Sequence, residues 1–220
     1  MPDRGEFLLL EAALENAEAV VDTLVDSEVL SSLPVVGTAV KMCQAFDHIR
    51  NRILAAKLYR LLDGLGELTE DEKQKWRKRV AESPEESRKV GETLLLVIDR
   101  MTDMDKPELL GILFLACLDA VIDGEQFCRL ARAVDVAYLP DIQRLLDMPE
   151  VAPLRSQEAW MRYLAPAWLT QQGGGERWGD VGEIYYELSD LGVSLREAYA
   201  YGRTARERKQ DQTKGEQACP

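Results

Sequence analysis

Histidine is almost missing from this chain: His48 stands alone among 220 residues, and the four cysteines, Cys43, Cys117, Cys128 and Cys219, lie far apart. Most hydrolytic, redox and metal chemistry needs an imidazole or a thiolate held by a second group nearby. The sequence offers no such pair and no C-x-x-C spacing, so it points to no catalytic residue, no cofactor and no metal. Long apolar runs are missing too. The longest, residues 109–118, is about half of what a spanning helix requires. No basic start followed by an apolar stretch and a small-residue cleavage site is present, which predicts a cytoplasmic protein with reduced thiols. Positive charge is in deficit. Lys and Arg number 27 against 39 Asp and Glu, a formal charge of −12, which repels nucleic acid and anionic lipid alike.

What is present is enough apolar material to fold. With 46% hydrophobic and 30% charged residues, the chain can bury a core in one or two domains. Helical periodicity dominates the first two-thirds. Phe7, Leu10, Leu14, Ala17, Val21 and Leu24 form a heptad seam ending at Glu28, on a helix whose charge is almost wholly acidic. A core-facing helix explains this stripe, and a partner-binding coiled coil is the alternative. After a break at 33–37, a second helix is predicted over 38–63, ended by Gly64 and Gly66. Thr69 with Glu72 reads as a capping box opening a charged helix to about 82. Ser83, Pro84 and Glu86 repeat that signal for the next helix. A helix over 107–122 is apolar nearly all round, which places it at the centre of a bundle. Further helices are expected over 125–137, with Gly124 as the stop before them, and from Pro140 to Asp147.

Beyond residue 149 the texture changes. A helix is predicted over 156–168, a turn over 171–175, a strand over 184–188, and a last helix over 190–208 capped by Ser189. The fold class expected is mainly α: a multi-helix bundle followed by a small winged-helix-like α+β segment. The bundle spans 1–148, with the acidic helix at 1–28 and core helices at 38–146. The small module spans 151–202, and 203–220 is a charged, disordered tail.

Few constellations carry chemistry. Residues 119–130 fail as a calcium loop, because Val121 and Leu130 stand where oxygen ligands belong. Asp99, Asp103, Asp105, Asp119 and Asp123 could converge on a divalent ion, although caps and solvated charges explain them more simply. The run Lys73, Lys75, Trp76, Arg77, Arg79 is the one concentrated basic patch, and acidic flanks largely neutralise it. A solvated helix face is its plain reading; an acidic protein partner or a phosphate backbone are the others.

Two segments carry resemblances. The stretch Tyr186-Glu187-Leu188-Ser189-Asp190-Leu191-Gly192 resembles the second wing strand and following helix of winged-helix proteins. That resemblance implies a reading helix at 156–168, where Arg162 is the only base-contacting candidate. Across 29–146, the segments Leu33-Pro34-Val35-Val36-Gly37, Ile49-Arg50-Asn51-Arg52, Lys57-Leu58, Lys89-Val90-Gly91-Glu92 and Asp105-Lys106, with Gly111, Phe114, Phe127 and Asp141, resemble a family of largely uncharacterised bacterial all-helical proteins. The resemblance implies an accessory protein linked to mobile elements or phage defence, and it supplies no catalytic residues.

The functional reading is a non-enzymatic protein acting through a protein partner or self-association. Its contact residues are Phe7, Leu10, Leu14, Val21 and Leu24 on the seam, and Lys73, Lys75, Trp76, Arg77 and Arg79 on the basic helix. Two alternatives stand beside it. One is a membrane-active effector that releases the first helix and residues 29–42. The other is a DNA-binding regulator using the winged-helix-like module.

Overall fold

A computed structural model describes residues 17–45, 49–149, 155–156, 158–173 and 184–217. Eleven α-helices and three short strands follow one another within them. The bundle comprises α1 (Ala17–Asp26), α2 (Glu28–Ser32), α3 (Pro34–Ala45), α4 (Ile49–Leu65), α5 (Glu70–Glu82), α6 (Pro84–Arg100), α7 (Lys106–Leu118), α8 (Gly124–Val136) and α9 (Leu139–Asp147). The module follows as β1 (Arg155–Ser156), α10 (Ala159–Tyr163), a 3-10 turn (Ala165–Ala167), β2 (Thr170–Gly173), β3 (Tyr185–Leu188) and α11 (Asp190–Gln217). A helical bundle followed by a small α+β segment is the architecture the sequence called for.

The most apolar helix dictates the packing. Every residue of α7 except Glu108 is buried, so neighbours must cover it on all sides. It packs against α4, α11 and α8. Two of these approaches depend on glycine. A Cβ on Gly64 would overlap the Glu108 carbonyl, one on Gly111 would overlap the Leu61 carbonyl, and one on Gly202 would overlap the Ile112 carbonyl. Backbone therefore touches backbone where α4 and α11 meet α7, which only residues without a side chain permit. Trp76, Phe114 and Phe127 stack through the centre in edge and tilted geometries, with ring centroids 5.3 and 5.2 Å apart. Such pairs add roughly 0.5–1.5 kcal/mol each beyond their buried area.

Helix ends are closed by cations reaching across the bundle. The last carbonyls of a helix have no partner within it, and positive charge is favoured there. The Lys57 ammonium donates to the Ile98 and Asp99 carbonyls at the end of α6, at 3.1 and 3.0 Å. Lys106 donates to the Asp135 carbonyl of α8 at 2.9 Å. Arg79 donates to the Cys117 carbonyl of α7, and Arg196 to the Met148 carbonyl after α9. Each bond joins two elements as well as capping one.

Several expected boundaries shift, for local reasons. The chain breaks at extended Leu33, and α3 opens on Pro34, so Gly37 lies inside a helix. α4 continues through Gly64 because that residue packs; the stop is Gly66 at φ +66°, whose N–H donates to the Leu62 carbonyl. α7 ends at Leu118 and is closed by a turn at Ala120, not by Gly124. Ala120 sits at φ 58°, with its own N–H and that of Val121 bonded back to the Cys117 and Ala116 carbonyls, the Schellman pattern. Gly124 instead begins α8, where a side chain would strike Glu86. The 156–168 helix does not form as one piece. Pro166 denies a backbone donor to the helix interior, leaving β1, the five-residue α10 and a 3-10 turn. Residues 171–173 belong to a strand rather than a turn. The stretch expected as a disordered tail from 203 is helical to Gln217, because α11 finds partners on the bundle.

The sheet has the strand order β1-β3-β2, both pairings antiparallel. Thr170 faces Leu188 and Gly173 faces Tyr185 across the hairpin.

Candidate functional site

The sequence-derived contact residues separate when placed in the fold. Phe7, Leu10 and Leu14 lie outside the described residues. Leu24 is wholly buried, and Val21 is half-buried against the same core. Trp76 is 2% exposed, and its indole N–H donates to the Ser32 hydroxyl at 2.8 Å. Leu24 and Trp76 are therefore core residues, unavailable to a partner in the folded chain. The basic residues of α5 are engaged internally. Lys73 pairs with Glu70 and Lys75 with Asp71, each at 2.6 Å. Hydrogen bonds to those carboxylates raise both ammonium pKa values. Arg77 pairs with Glu28 on α2, and Arg79 bridges the Cys117 carbonyl and Glu86. Charge that would have attracted a partner instead fastens α5 to α2, α6 and α7.

The acidic residues between 99 and 123 do not gather. Asp99 pairs with Arg50 at 2.6 Å, and Asp105 with Arg60 at 2.9 Å. Asp103 accepts from the Asp105 N–H, and Asp119 accepts from the Tyr201 hydroxyl. Asp123 caps α8 in a reciprocal box with Gln126. Among the described residues no three His, Cys, Asp or Glu side chains are placed to hold one ion. Burial lowers the pKa of Lys57 and of Lys106, with nearby carboxylates acting against that shift. Both lysines end on carbonyl oxygens, and that makes them structural caps.

Two thiols are described. Burial pushes the Cys117 thiol up to about 12, against a smaller opposing pull from Arg79. A thiol held that far from ionisation is a poor nucleophile at neutral pH. Cys128 is buried beside the Lys89 carbonyl. His48 and Cys219 lie outside the described residues, as does the side chain of Cys43.

Residues 29–42, the segment an effector would release, are anchored. Val29, Leu30, Leu33, Val36 and Val40 all belong to the main core. At about 1.5–3 kcal/mol for each large side chain withdrawn from the interior, exposing them costs on the order of 10 kcal/mol, comparable to the stability of a whole domain. Among the described residues no helix is long and apolar enough to cross a membrane.

The module presents something the sequence reading missed. Trp168 closes the 3-10 turn in the left-handed conformation, φ 57° and ψ 17°, with its side chain 63% exposed. A bulky non-glycine residue rarely adopts this backbone. Three contacts hold it there. Its N–H donates to the Ala165 carbonyl at 2.9 Å, the following Leu169 N–H donates to the Leu164 carbonyl at 3.3 Å, and its own carbonyl accepts from the Ser189 hydroxyl. Ser189 also caps α11 through the Gly192 N–H. Its carbonyl accepts from the Val193 N–H at 2.9 Å, in the first turn of α11. Tyr163 and Ile184 are exposed on the same module, and the Arg162 guanidinium lies over the Tyr163 ring at 5.5 Å. The signal for this face was Pro166: a proline inside an expected helix marks a turn, and the tryptophan two residues on must then leave the helical face. A five-residue α10 is also too short to lie along a groove of DNA as a reading helix.

The segments that carry the bacterial-family resemblance meet each other. A Cβ on Gly91 would touch Leu33 and Val36 at 3.6 and 3.7 Å, and Gly111 lies against the end of α4. They are packing residues, so their pattern speaks of fold rather than of a site. No family model, characterised protein or solved structure matches the chain.

Proposed function

We propose that this chain is a cytoplasmic, non-enzymatic binding protein whose helical bundle supports an aromatic contact face on the small module. The observation that carries the reading is Trp168. Its backbone is strained and its indole faces outward. Strain of this kind costs about 1–3 kcal/mol and persists where the surroundings enforce it, commonly at binding sites. Tryptophan is also among the residues that contribute most at protein interfaces, with large rigid area and a polar edge. Tyr163, Ile184 and Val193 add exposed aromatic and aliphatic surface on the same module. The link to phage defence or mobile elements rests on the resemblance alone.

The test separates stability from binding. Trp168→Gly removes the indole and gives the backbone a residue at ease with φ 57°. The variant is expected to resist urea at least as well as the parent while losing proteins that the parent retains on a column. Parent and variant retaining the same proteins, or a variant clearly less stable, would count against the reading.

A further inference from the structure

A second surface is built from elements of the bundle that do not include Trp168. The end of α1, the start of α2 and the end of α4 enclose an open groove of about 730 Å³. Half-buried Leu62 and Leu68 and the exposed Tyr59 ring supply its apolar lining, set among polar and charged groups. Of the four acids that line it, Glu28 and Asp63 are paired with arginines; the other two are Asp26, at the end of α1, and Glu67, in the loop after α4. Both carboxylates are exposed, and neither has an ion-pair partner among the described residues. The one ammonium lining the groove, Lys73, is already paired with Glu70.

We infer that this groove seats an amphipathic helix of a partner protein, with apolar side chains on the Tyr59–Leu62–Leu68 lining and lysine or arginine flanks against Asp26 and Glu67. Helix-in-groove recognition requires this combination of an apolar trough and complementary charge. The occupant is helical because the walls are helices and their connections, which offer no open strand edge, so its backbone groups must be satisfied internally. It is cationic because two of the exposed carboxylates lining the groove, Asp26 and Glu67, have no ion-pair partner among the described residues. A second copy of this chain does not fit that description, carrying a net charge of −12 and having committed its most basic helix to internal pairs. Residues 1–16 carry Asp3, Glu6, Glu11 and Glu15 against Arg4 alone, the same sign as the rim.

A synthetic 18-residue peptide, with leucines at helical spacings of three and four and lysines flanking them, is the probe. Its binding to the full chain is followed by fluorescence anisotropy at low salt. The expected result is saturable binding, weakened about tenfold or more by the double variant Asp26→Lys with Glu67→Lys, since each tenfold is roughly 1.4 kcal/mol and two charges change sign. Asp147→Lys, an equally exposed reversal elsewhere, should change affinity by less than about twofold. A peptide with serines replacing the leucines should fail to bind. Absence of binding, equal losses from Asp147→Lys and the rim variant, or equal binding by the serine peptide would each overturn the proposal. Circular dichroism checks that the reversals, both at exposed positions, leave the fold intact. Trp168→Gly should leave this binding unchanged, so the two surfaces stand or fall separately.

Discussion

Ala120 shows how much a single residue's backbone can decide. It holds the left-handed position that closes α7, with both Schellman hydrogen bonds made, yet it carries a Cβ that this conformation disfavours by about 1–2 kcal/mol. Glycine at that position keeps the bonds and removes the clash, offset in part by the greater freedom of the unfolded chain. Ala120→Gly is expected to raise stability by about 0.5–1 kcal/mol, read as a higher urea midpoint with unchanged slope. An unchanged or lower midpoint would mean that the turn is held by something other than this motif. Trp168 shares the conformation and the same pair of closing hydrogen bonds, to the Ala165 and Leu164 carbonyls; it differs in that the side chain it turns outward is an indole.

At the scale of elements, α11 is attached to the bundle by buried Leu195 and Ala198, by the close approach at Gly202, and by charge. Arg206 pairs with Glu108 at 2.9 Å and reaches Asp63 at 3.6 Å; Arg60 joins the same carboxylates. Lys209 meets Glu72 at 2.7 Å where both side chains are largely covered. Glu72 also serves the α5 capping box. Burial works against its ionisation, but the Lys209 and Thr69 hydrogen bonds outweigh that and hold its pKa below 4.5. The unfolded carboxyl therefore binds its proton more readily than the folded one. The stabilisation is complete above about pH 4.5 and is lost as pH falls through the lower folded value. Glu72→Gln keeps an acceptor for Thr69 but strands Lys209. It should cost about 1–2 kcal/mol at pH 7, and the two stability curves should converge in acid. A pH-independent gap between them would contradict the assignment. The elements themselves were largely legible in the sequence: α5 and its capping box, the buried α7, α8, α9 and β3 follow directly from periodicity and caps. What periodicity does not encode is which partner a charged side chain finds. Arg77 and Arg79 looked like surface charge because Glu28 and the Cys117 carbonyl are 49 and 38 residues away. Gly64 and Gly124 looked like stops because a glycine that permits close packing and one that ends a helix read alike in one dimension. Trp168 was hidden by extending a helix across Pro166.

For the molecule as a whole, Cys117 reports on global unfolding. It sits in the most buried helix with its thiol pushed up to about 12, so neither exposure nor ionisation is available in the folded state. Maleimide added to native protein at pH 8 should leave Cys117 and Cys128 unmodified, as peptide mass mapping would show. Both should react within minutes once urea passes the unfolding midpoint. Fast labelling of Cys117 without denaturant would mean that α7 is uncovered far more often than its packing implies. The charge distribution carries the complementary message. Intramolecular pairs consume most of the cations described, so the net negative charge is expressed outward, as on the rim of the α1–α4 groove.

The backbone contact at Gly202 has a consequence for how the chain reaches its native state. Arg206 lies 98 residues from Glu108 in sequence, and the surface of α7 beneath Gly202 stays wet until that distance has been closed. Closure over so long a loop is entropically late. Without the final helix, the first 189 residues would leave one flank of an oily central rod bare, and its docking makes the assembly watertight.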